Sequence, residues 1–303
     1  MSIHCVVCVK QVPDTKRITT EAMKEDGTVN RAALPAVFNP EDLNALEAAL
    51  AVRDACGGKV TVVTMGLPKA CDVLRESLFR GADDAVLITD RRAAASDTLA
   101  TSYILSCAMR KLDPDLVFCG RQAIDGDTAQ VGPQLAEKLG FNLLTYMEEF
   151  MGVSDNKLKA RRNIGAGWEV VSCRLPALVT VMDTANTPRP RAAKRIMKFK
   201  KAMSCAEIAK NISDTMGDAP KDQQEAKIKT LCDELSQKGL LIKQWNLDDV
   251  EADLAWCGMS GSPTKVNRIQ SVVLTGSGYH EFPATQEGIS KLIGELIQEH
   301  TIG

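Results

Sequence analysis

The fold is decided by residues 60–88, which have the sequence VTVVTMGLPKACDVLRESLFRGADDAVLI. The two ends of this stretch, Val60 to Met65 and Ala85 to Ile88, are short β-branched apolar runs that predict buried strands. Between them, Lys69 to Arg80 shows helical periodicity and stops at Gly81. A strand, a helix and a second strand within about 30 residues form the unit from which parallel sheets are built.

The same alternation continues outward in both directions. Ile3 to Val9 predicts the first strand, and Asn39-Pro40-Glu41-Asp42 predicts a helix start, with Asn39 as N-cap and acids in the first turn. Downstream, the pattern predicts a helix from Ser96-Asp97-Thr98 to Leu112, a strand from Leu116 to Cys119, and a helix from Asp127 or Thr128 to Gly140. The fold class is therefore α/β, with a doubly wound, mostly parallel, Rossmann-like sheet.

After Gly140 the pattern changes. Added strands, some of them antiparallel, are predicted at Leu143 to Phe150, Lys157 to Ile164, Glu169 to Leu175 and Ala177 to Met182. They are followed by a basic run expected to be a solvated face (Arg189 to Lys201), a helical stretch (Ala206 to Lys238), a short strand (Leu240 to Gln244) and a last helix (Gln286 to Glu299). We expect a nucleotide-binding α/β domain at 1–202, a helical insertion at 203–239, and a C-terminal arm at 240–303 that packs on another chain.

Composition excludes several classes of protein. The 303 residues carry a formal net charge of −2, which gives no basic excess for binding nucleic acid. The longest apolar runs fall far short of the roughly 20 residues of a membrane span, and the N-terminus lacks the basic region of a secretory signal. The 10 cysteines are scattered through apolar runs, which is typical of buried thiols in a reducing compartment and predicts a cytoplasmic protein.

A ligand of such a sheet binds beyond the carboxyl ends of the strands, where helix N-termini offer unpaired N–H groups to anions. Four segments occupy these positions, namely residues 10–14, 64–68, 96–102 and 120–133. The last two contain helix starts rich in hydroxyls and amides, which could hold two phosphates.

Each of these features has a simpler explanation. Ser96-Asp97-Thr98 could be only a helix cap, Asp125 and Asp127 could be turn and cap residues, and Gly66 could be a turn glycine. Cys5 and Cys8 are three residues apart on a predicted strand, so they point to opposite faces and do not form a metal or redox pair. From the residues alone, the chain is a nucleotide-binding α/β domain without an evident catalytic nucleophile or metal site. A non-redox ATP-binding regulatory module is one alternative.

Several segments together resemble the β subunit of electron transfer flavoproteins. They include residues 7–14 (VCVKQVPD), 39–42 (NPED), 62–66 (VVTMG) and 120–128 (GRQAIDGDT). Further matches are 175–180 (LPALVT), 186–189 (NTPR) and 261–266 (GSPTKV), in the order that the family has them. The resemblance covers roughly residues 1–200 and 240–303.

Members of that family pair the β subunit with an α subunit that carries FAD, and the β subunit holds either a structural AMP or a second FAD. Residues 96–102 (SDTLATS) resemble the two-FAD group, which is linked to NADH oxidation and electron bifurcation. The resemblance therefore implies FAD in this chain, with AMP as the alternative. It also implies NADH as electron donor, the α subunit and an acyl-CoA dehydrogenase as partners, and ferredoxin as a further acceptor.

The site residues that the resemblance implies fall into three groups. Those expected at the adenosine and along the strand ends are Cys8, Val9, Lys10, Asn39, Thr64, Met65, Gly66, Gly120, Arg121 and Gln122. Those expected at the AMP-side phosphate are Thr128, Gln130, Val131 and Gly132, and those expected at the second phosphate and ribityl chain are Asp97, Thr98, Thr101 and Ser102. Arg121 is the candidate for tuning the flavin, because a nearby cation stabilises an anionic reduced form.

Overall fold

The computed structural model describes residues 2–14, 34–217, 220–264 and 280–298. Within these ranges, nine strands form one sheet in the order β11-β5-β4-β1-β6-β10-β7-β8-β9, and β2 and β3 form a separate pair. The strands are β1 (Ile3–Cys8), β2 (Gln11–Pro13), β3 (Ala36–Phe38), β4 (Gly58–Met65), β5 (Asp84–Ile88), β6 (Leu116–Gly120), β7 (Asn142–Ser154), β8 (Lys157–Asn163), β9 (Trp168–Arg174), β10 (Ala177–Val181) and β11 (Lys243–Trp245).

All pairings from β11 to β7 are parallel, whereas β7, β8 and β9 are antiparallel to one another. The helices are α1 (Pro40–Cys56), α2 (Cys71–Arg80), α3 (Thr98–Leu112), α4 (Val131–Leu139), α5 (Ala193–Phe199), α6 (Cys205–Thr215), α7 (Lys221–Gln237) and α8 (Gln286–Gln298). The predicted fold class, a mostly parallel α/β sheet with added antiparallel strands, is confirmed. No helix in the described ranges is both long and apolar enough to cross a membrane.

The central parallel strands of the sheet are buried on both faces because helices cover each side of them, whereas β9 at the antiparallel end is largely exposed. Alternation along β1 shows this directly, since Cys5 and Val7 belong to one apolar core while Val6 belongs to the other. Cys8 packs against the second core. The prediction that Cys5 and Cys8 point to opposite faces of the strand is therefore confirmed.

Several predicted boundaries differ from the structure, and two of them are as follows. The fourth helix begins at Val131 rather than at Asp127 or Thr128, because Asp127 and Ala129 have φ values of 49° and 52°, which a right-handed helix does not admit. The strand expected at Leu240 to Gln244 is β11, shifted to Lys243–Trp245.

The basic run is a solvated face only in part: five of its basic side chains are exposed (Arg191, Lys194, Lys198, Lys200 and Lys201), whereas Arg189 and Arg195 bind the neighbouring helices. Arg189 forms ion pairs with Glu47 (Nε–Oε2 2.9 Å) and Asp54 (Nη1–Oδ2 3.0 Å) on α1. Arg195 donates from Nε to the Leu78 carbonyl of α2 at 2.6 Å. These bonds fasten the segment to the two helices that cover one face of the sheet.

Candidate nucleotide site

The candidate site lies at the carboxyl edge of the sheet, around the point where the strand order reverses. From β1 the chain proceeds to β4 and β5 on one side, and β6 then pairs with β1 on the other side. Connections that leave in opposite directions open a crevice between neighbouring strands, and this crevice is the usual ligand site of doubly wound sheets. The ends of β1, β4 and β6 therefore meet the starts of α1, α3 and α4.

Asp42, in the first turn of α1, joins the ends of β1 and β6. Its Oδ2 accepts a hydrogen bond from the Lys10 backbone N–H at 2.8 Å, and its Oδ1 accepts one from the Gly120 N–H at 3.1 Å. The side chain is buried, and burial raises the pKa of this carboxyl group to about 7, although hydrogen bonds from Asn39, Lys10 and Gly120 oppose the shift.

Because the pKa of Asp42 in the folded protein lies above its ordinary value, the stability of the protein should depend on pH. Between about pH 4 and 7 the folded state keeps a proton that the unfolded state has released, so the free energy of unfolding falls as the pH rises. Between these pH values, the free energy of unfolding of the wild type should fall by on the order of 3 kcal/mol more than that of Asp42→Asn. Urea unfolding at pH 4.5 and 7.5 measures the difference.

The control for this measurement is Asp127→Asn, which replaces an exposed carboxylate. Asn tolerates the left-handed backbone at that position as well as Asp does. A stability difference between wild type and Asp42→Asn that is the same at both pH values contradicts the prediction.

Glu41 and Asn39 anchor the loop that follows β6. Glu41 accepts from the Gln122 N–H at 2.9 Å and from Arg121 Nη2 at 2.7 Å. The Asn39 amide donates to the Gln122 carbonyl (2.9 Å) and accepts from the Ile124 N–H (3.2 Å). Asn39 is the N-cap residue as predicted, yet its side chain makes no capping bond to α1. Residues 39–42 therefore hold the ligand-facing loop in place.

Gly120 is the point of closest approach between this loop and α1. A Cβ at this position would lie 2.4 Å from Asp42 Oδ1 and 2.8 Å from the Glu41 carbonyl carbon. Rotation of the Asp42 side chain could relieve the first distance but not the second, because the second atom belongs to the backbone. Only glycine allows β6 to end this close to the helix.

The start of α3 is capped by its own carboxylate. Asp97 Oδ1 accepts from the Leu99 N–H (2.9 Å) and the Ala100 N–H (3.0 Å). The interpretation of Ser96-Asp97-Thr98 as a helix cap is thus confirmed. Two first-turn amides of α3 already have an acceptor, and that acceptor is negatively charged, which disfavours a phosphate directly on the α3 axis.

Asp97 also holds a segment that is distant in sequence. Its Oδ2 accepts from Thr264 N–H at 3.0 Å and from Thr264 Oγ1 at 2.6 Å. Ser262 Oγ, which is buried, accepts from the Asp97 N–H at 2.9 Å. Residues 261–264 therefore lie against the start of α3, while residues 265–266 of the same family-like segment lie outside the described residues.

The start of α4 is open. Its N-cap residue, Gln130, makes no side-chain bond to the helix, so the Val131 and Gly132 amides are available to an acceptor from outside the helix. Gly132 is buried against β10, and a Cβ there would lie 2.8 Å from Thr180 Cγ2. This close packing leaves the helix start at the edge of the crevice. The geometry fits a phosphate group at α4 better than at α3.

A polar network connects the two helix starts. Thr98 Oγ1 donates to Gln130 Oε1 at 2.8 Å, and Ser102 Oγ donates to Gln134 Oε1 at 3.2 Å. Gln134 Nε2 also approaches Thr98 Oγ1 at 3.4 Å. The network brings hydroxyl and amide groups from both helices within reach of one extended ligand.

Backbone strain also concentrates around these helix starts. Ala95, just before α3, has φ 59°, and Asp127 and Ala129, just before α4, are left-handed as well. Such conformations persist only where the surroundings hold them, and they cluster at ligand sites.

The predicted residues divide by accessibility. Lys10 is exposed and its Nζ contacts Asp125 at 2.8 Å, and Gln130 and Thr128 are also exposed. The half-buried ones are Cys8, Met65, Gly66, Asp97, Thr98, Thr101, Arg121, Gln122 and Val131. The buried ones are Val9, Asn39, Thr64, Ser102, Gly120 and Gly132; of these, Asn39 and Ser102 use their polar atoms within the protein.

Sequence reasoning missed four residues that build the site. Glu41 and Asp42 were interpreted only as first-turn acids, and Gln134 and Thr264 were not considered as site residues. For Glu41 and Asp42 a signal existed, because two adjacent acids at a helix start beside strand ends can accept from the unpaired N–H groups there. No local pattern pairs Thr264 with Asp97, which is 167 residues away.

A parallel sheet with an open helix start and a hydroxyl- and amide-lined crevice at its switch point is the architecture typical of nucleotide-binding α/β proteins. The electron transfer flavoprotein domain family model matches residues 26–204. The chain therefore belongs to the electron transfer flavoprotein family, as a β-type subunit with a role in electron transfer.

Similar proteins agree with this assignment. The electron transfer flavoprotein subunit beta of Clostridium acetobutylicum is 38% identical over 300 residues, covering 99% of this chain and 100% of that relative. Protein FixA of Azorhizobium caulinodans is 39% identical over 275 residues, covering 88% and 84%. The acryloyl-CoA reductase electron transfer subunit gamma of Anaerotignum propionicum is 37% identical over 302 residues, covering 98% of each chain.

Proposed function

We propose that this chain binds FAD at the crevice between α3 and α4 and is the β subunit of a heterodimer with an FAD-carrying α subunit. In this proposal NADH reduces the FAD of the β subunit. Electrons then pass through the α-subunit FAD to or from an acyl-CoA dehydrogenase, with ferredoxin as a second acceptor. A β subunit with structural AMP and no flavin of its own is the alternative.

The observation that carries this proposal is the pairing of an open helix start at α4 with the Thr98 hydroxyl of α3. One phosphate fits the Val131 and Gly132 amides. The Asp97 cap makes the α3 amides unsuitable for a second phosphate, so the hydroxyls of Thr98 and Thr101 would contact it. AMP needs only the first of these sites, whereas the diphosphate of FAD uses both.

When bound, the flavin supplies hydride acceptance from a nicotinamide and one-electron transfer to its partner. The chain's own residues supply binding and orientation. Glu41 and Asn39 hold the loop after β6 against the crevice, and Asp42 fixes the distance between the ends of β1 and β6. Arg121 follows the end of β6 with about a third of its side chain exposed, and its charge is balanced by Glu41.

An acyl-CoA-linked partner is supported by one relative. The Anaerotignum propionicum protein is named as an electron transfer subunit of acryloyl-CoA reductase, and it matches this chain almost end to end. That name describes the relative. For this chain, an acyl-CoA dehydrogenase remains the proposed partner.

The proposed contact with the α subunit rests on the C-terminal segment. One face of α8 carries Ile289, Ile293 and Ile297, each about half exposed (53%, 45% and 52%). An apolar face of this kind is typical of a helix that packs on another chain. Because β11 pairs with β5 and Leu247 and Val250 are buried, the proposed arm at 240–303 begins within the main body. The boundaries 1–202 and 203–239 remain part of the proposal.

The cofactor content of the purified heterodimer tests the proposal. Acid release and chromatography should yield two FAD and no AMP per heterodimer, and NADH should bleach the flavin absorbance. One FAD with one AMP contradicts FAD in this chain and leaves the one-FAD carrier. ATP without flavin contradicts both and favours the regulatory module.

A further inference from the structure

Two cysteines face each other between α6 and α7. Cys205 is the first residue of α6, Cys232 lies on α7, and their sulfurs are 2.7 Å apart. Both side chains are partly exposed. A second close pair, Cys8 and Cys119, differs because Cys119 is buried in the sheet core. The pair on the helices is therefore the one that a dissolved oxidant can reach.

We propose that Cys205 and Cys232 form a reversible thiol–disulfide modification site, whose substrate is a small peroxide. The Cys205 sulfur attacks one oxygen of hydrogen peroxide, the O–O bond breaks, and the products are a sulfenic acid and water. The Cys232 sulfur then displaces hydroxide from that sulfenic acid, and the hydroxide leaves as a second water after taking the remaining thiol proton. In sum, two thiols and one peroxide give one disulfide and two waters, and the two sulfurs lose two electrons.

The order of these two steps follows from the environment of Cys232. Burial and the neighbouring Cys205 raise the pKa of the Cys232 thiol to about 12, so little of it is thiolate at neutral pH. Thiolate rather than thiol is the attacking species. We therefore assign the first attack on peroxide to Cys205. In the second step, the contact between the two sulfurs and the transfer of the Cys232 proton to the leaving hydroxide offset the low thiolate fraction of Cys232.

A cross-link between these residues would change the hairpin formed by α6 and α7 more than other parts of the chain. Among the residues that the structure describes, α7 has no buried side chain, and α6 is anchored by Ile208 and Ile212. A cavity of about 730 Å³ lies between this hairpin and residues 200–203. Little apolar area holds α7 against the rest of the protein. A covalent bond between α7 and the start of α6 would therefore restrict the separation of the two helices.

The experiment uses the complete heterodimer, treated with hydrogen peroxide and then alkylated. Mass spectrometry should find a peptide that joins Cys205 to Cys232 and that dithiothreitol separates again. Amide exchange in α7 should slow in the oxidised protein, by up to about a hundredfold if the bond closes the 27-residue loop in the unfolded hairpin. In Cys232→Ser, the same treatment should leave a sulfenic acid at Cys205 that dimedone traps.

Cys173→Ser is the matched control, because Cys173 is partly exposed and its sulfur contacts the Arg174 carbonyl rather than a thiol. This variant should form the cross-link at the wild-type rate. The proposal is overturned if both hairpin thiols of the wild type remain free after peroxide treatment. It is equally overturned if other cysteine pairs cross-link as fast.

Discussion

Gly120→Ala should destabilise the protein by roughly 3 kcal/mol and remove the proposed nucleotide from the purified heterodimer. The added Cβ would lie 2.8 Å from the Glu41 carbonyl carbon and 2.9 Å from the Asp42 nitrogen. Both are backbone atoms, so the end of β6 has to move away from α1. That movement stretches the 3.1 Å bond from the Gly120 N–H to Asp42 and displaces the loop at Arg121 and Gln122.

Gly126→Ala is the control for this prediction. Gly126 lies in the same loop, and a Cβ there would meet no atom within 4 Å. Urea unfolding and acid-released nucleotide should match the wild type for Gly126→Ala and fall for Gly120→Ala. A Gly120→Ala protein with full nucleotide content would show that the approach of β6 to α1 is not needed for binding. The stability loss does not depend on whether the nucleotide is FAD or AMP.

Local patterns were enough to predict the sheet. The central parallel strands β1, β4, β5 and β6 are short, mostly apolar runs, and all four were placed to within two residues. Burial on both faces makes such runs apolar throughout, and this signal is independent of the rest of the chain. The start of α1 at Asn39-Pro40 was predicted for the same reason, because proline favours the first helical position.

The chemistry of the site could not be predicted in the same way. Asparagine is a residue type typical of helix N-caps. The side-chain amide of Asn39 nevertheless bonds to the backbone of Gln122 and Ile124, which are 83 and 85 residues away in sequence. Thr128 follows Asp127 in what looks like a capped helix start, but left-handed backbone at Asp127 and Ala129 delays the helix to Val131. Each outcome depends on contacts made after the sheet has formed, and no window of sequence contains both partners.

Glu41→Ala should cost about 3 kcal/mol or more of unfolding free energy, although only one carboxylate is removed. Glu41 is buried, and its loss leaves Arg121 without its partner and the Gln122 N–H without its acceptor. Because Arg121 is about a third exposed and water can replace part of the lost contact, the cost lies near the lower end of the range for breaking a buried pair.

The ion pair between Lys10 and Asp125 at the same crevice provides the exposed comparison for the Glu41–Arg121 pair. Its Nζ–Oδ1 distance is 2.8 Å, close to that of the buried pair, but half of the Lys10 side chain is exposed. Lys10→Ala should therefore change the free energy of unfolding by about 1 kcal/mol or less. If Glu41→Ala and Lys10→Ala lose the same free energy of unfolding in urea, burial is not the cause of the expected difference between the two ion pairs.

The same pair makes a prediction about the flavin, which rests on the proposed FAD. Arg121 was expected to tune the flavin as a nearby cation, and the 2.7 Å contact with Glu41 makes the pair nearly neutral. Glu41→Gln keeps a hydrogen-bond acceptor and exposes the Arg121 charge, so it should raise the potential of a nearby flavin by stabilising its anionic reduced form. Arg121→Ala should lower the potential.

Spectroelectrochemical titration of both variants measures these opposite shifts. The signs distinguish an electrostatic role from a structural one, because a general loosening of the loop would move both potentials in the same direction. If Glu41→Ala destabilises the fold while neither potential moves, Arg121 serves only to hold the loop after β6. If the potentials move in opposite directions, the buried first turn of α1 both positions the loop and sets the charge that the flavin experiences.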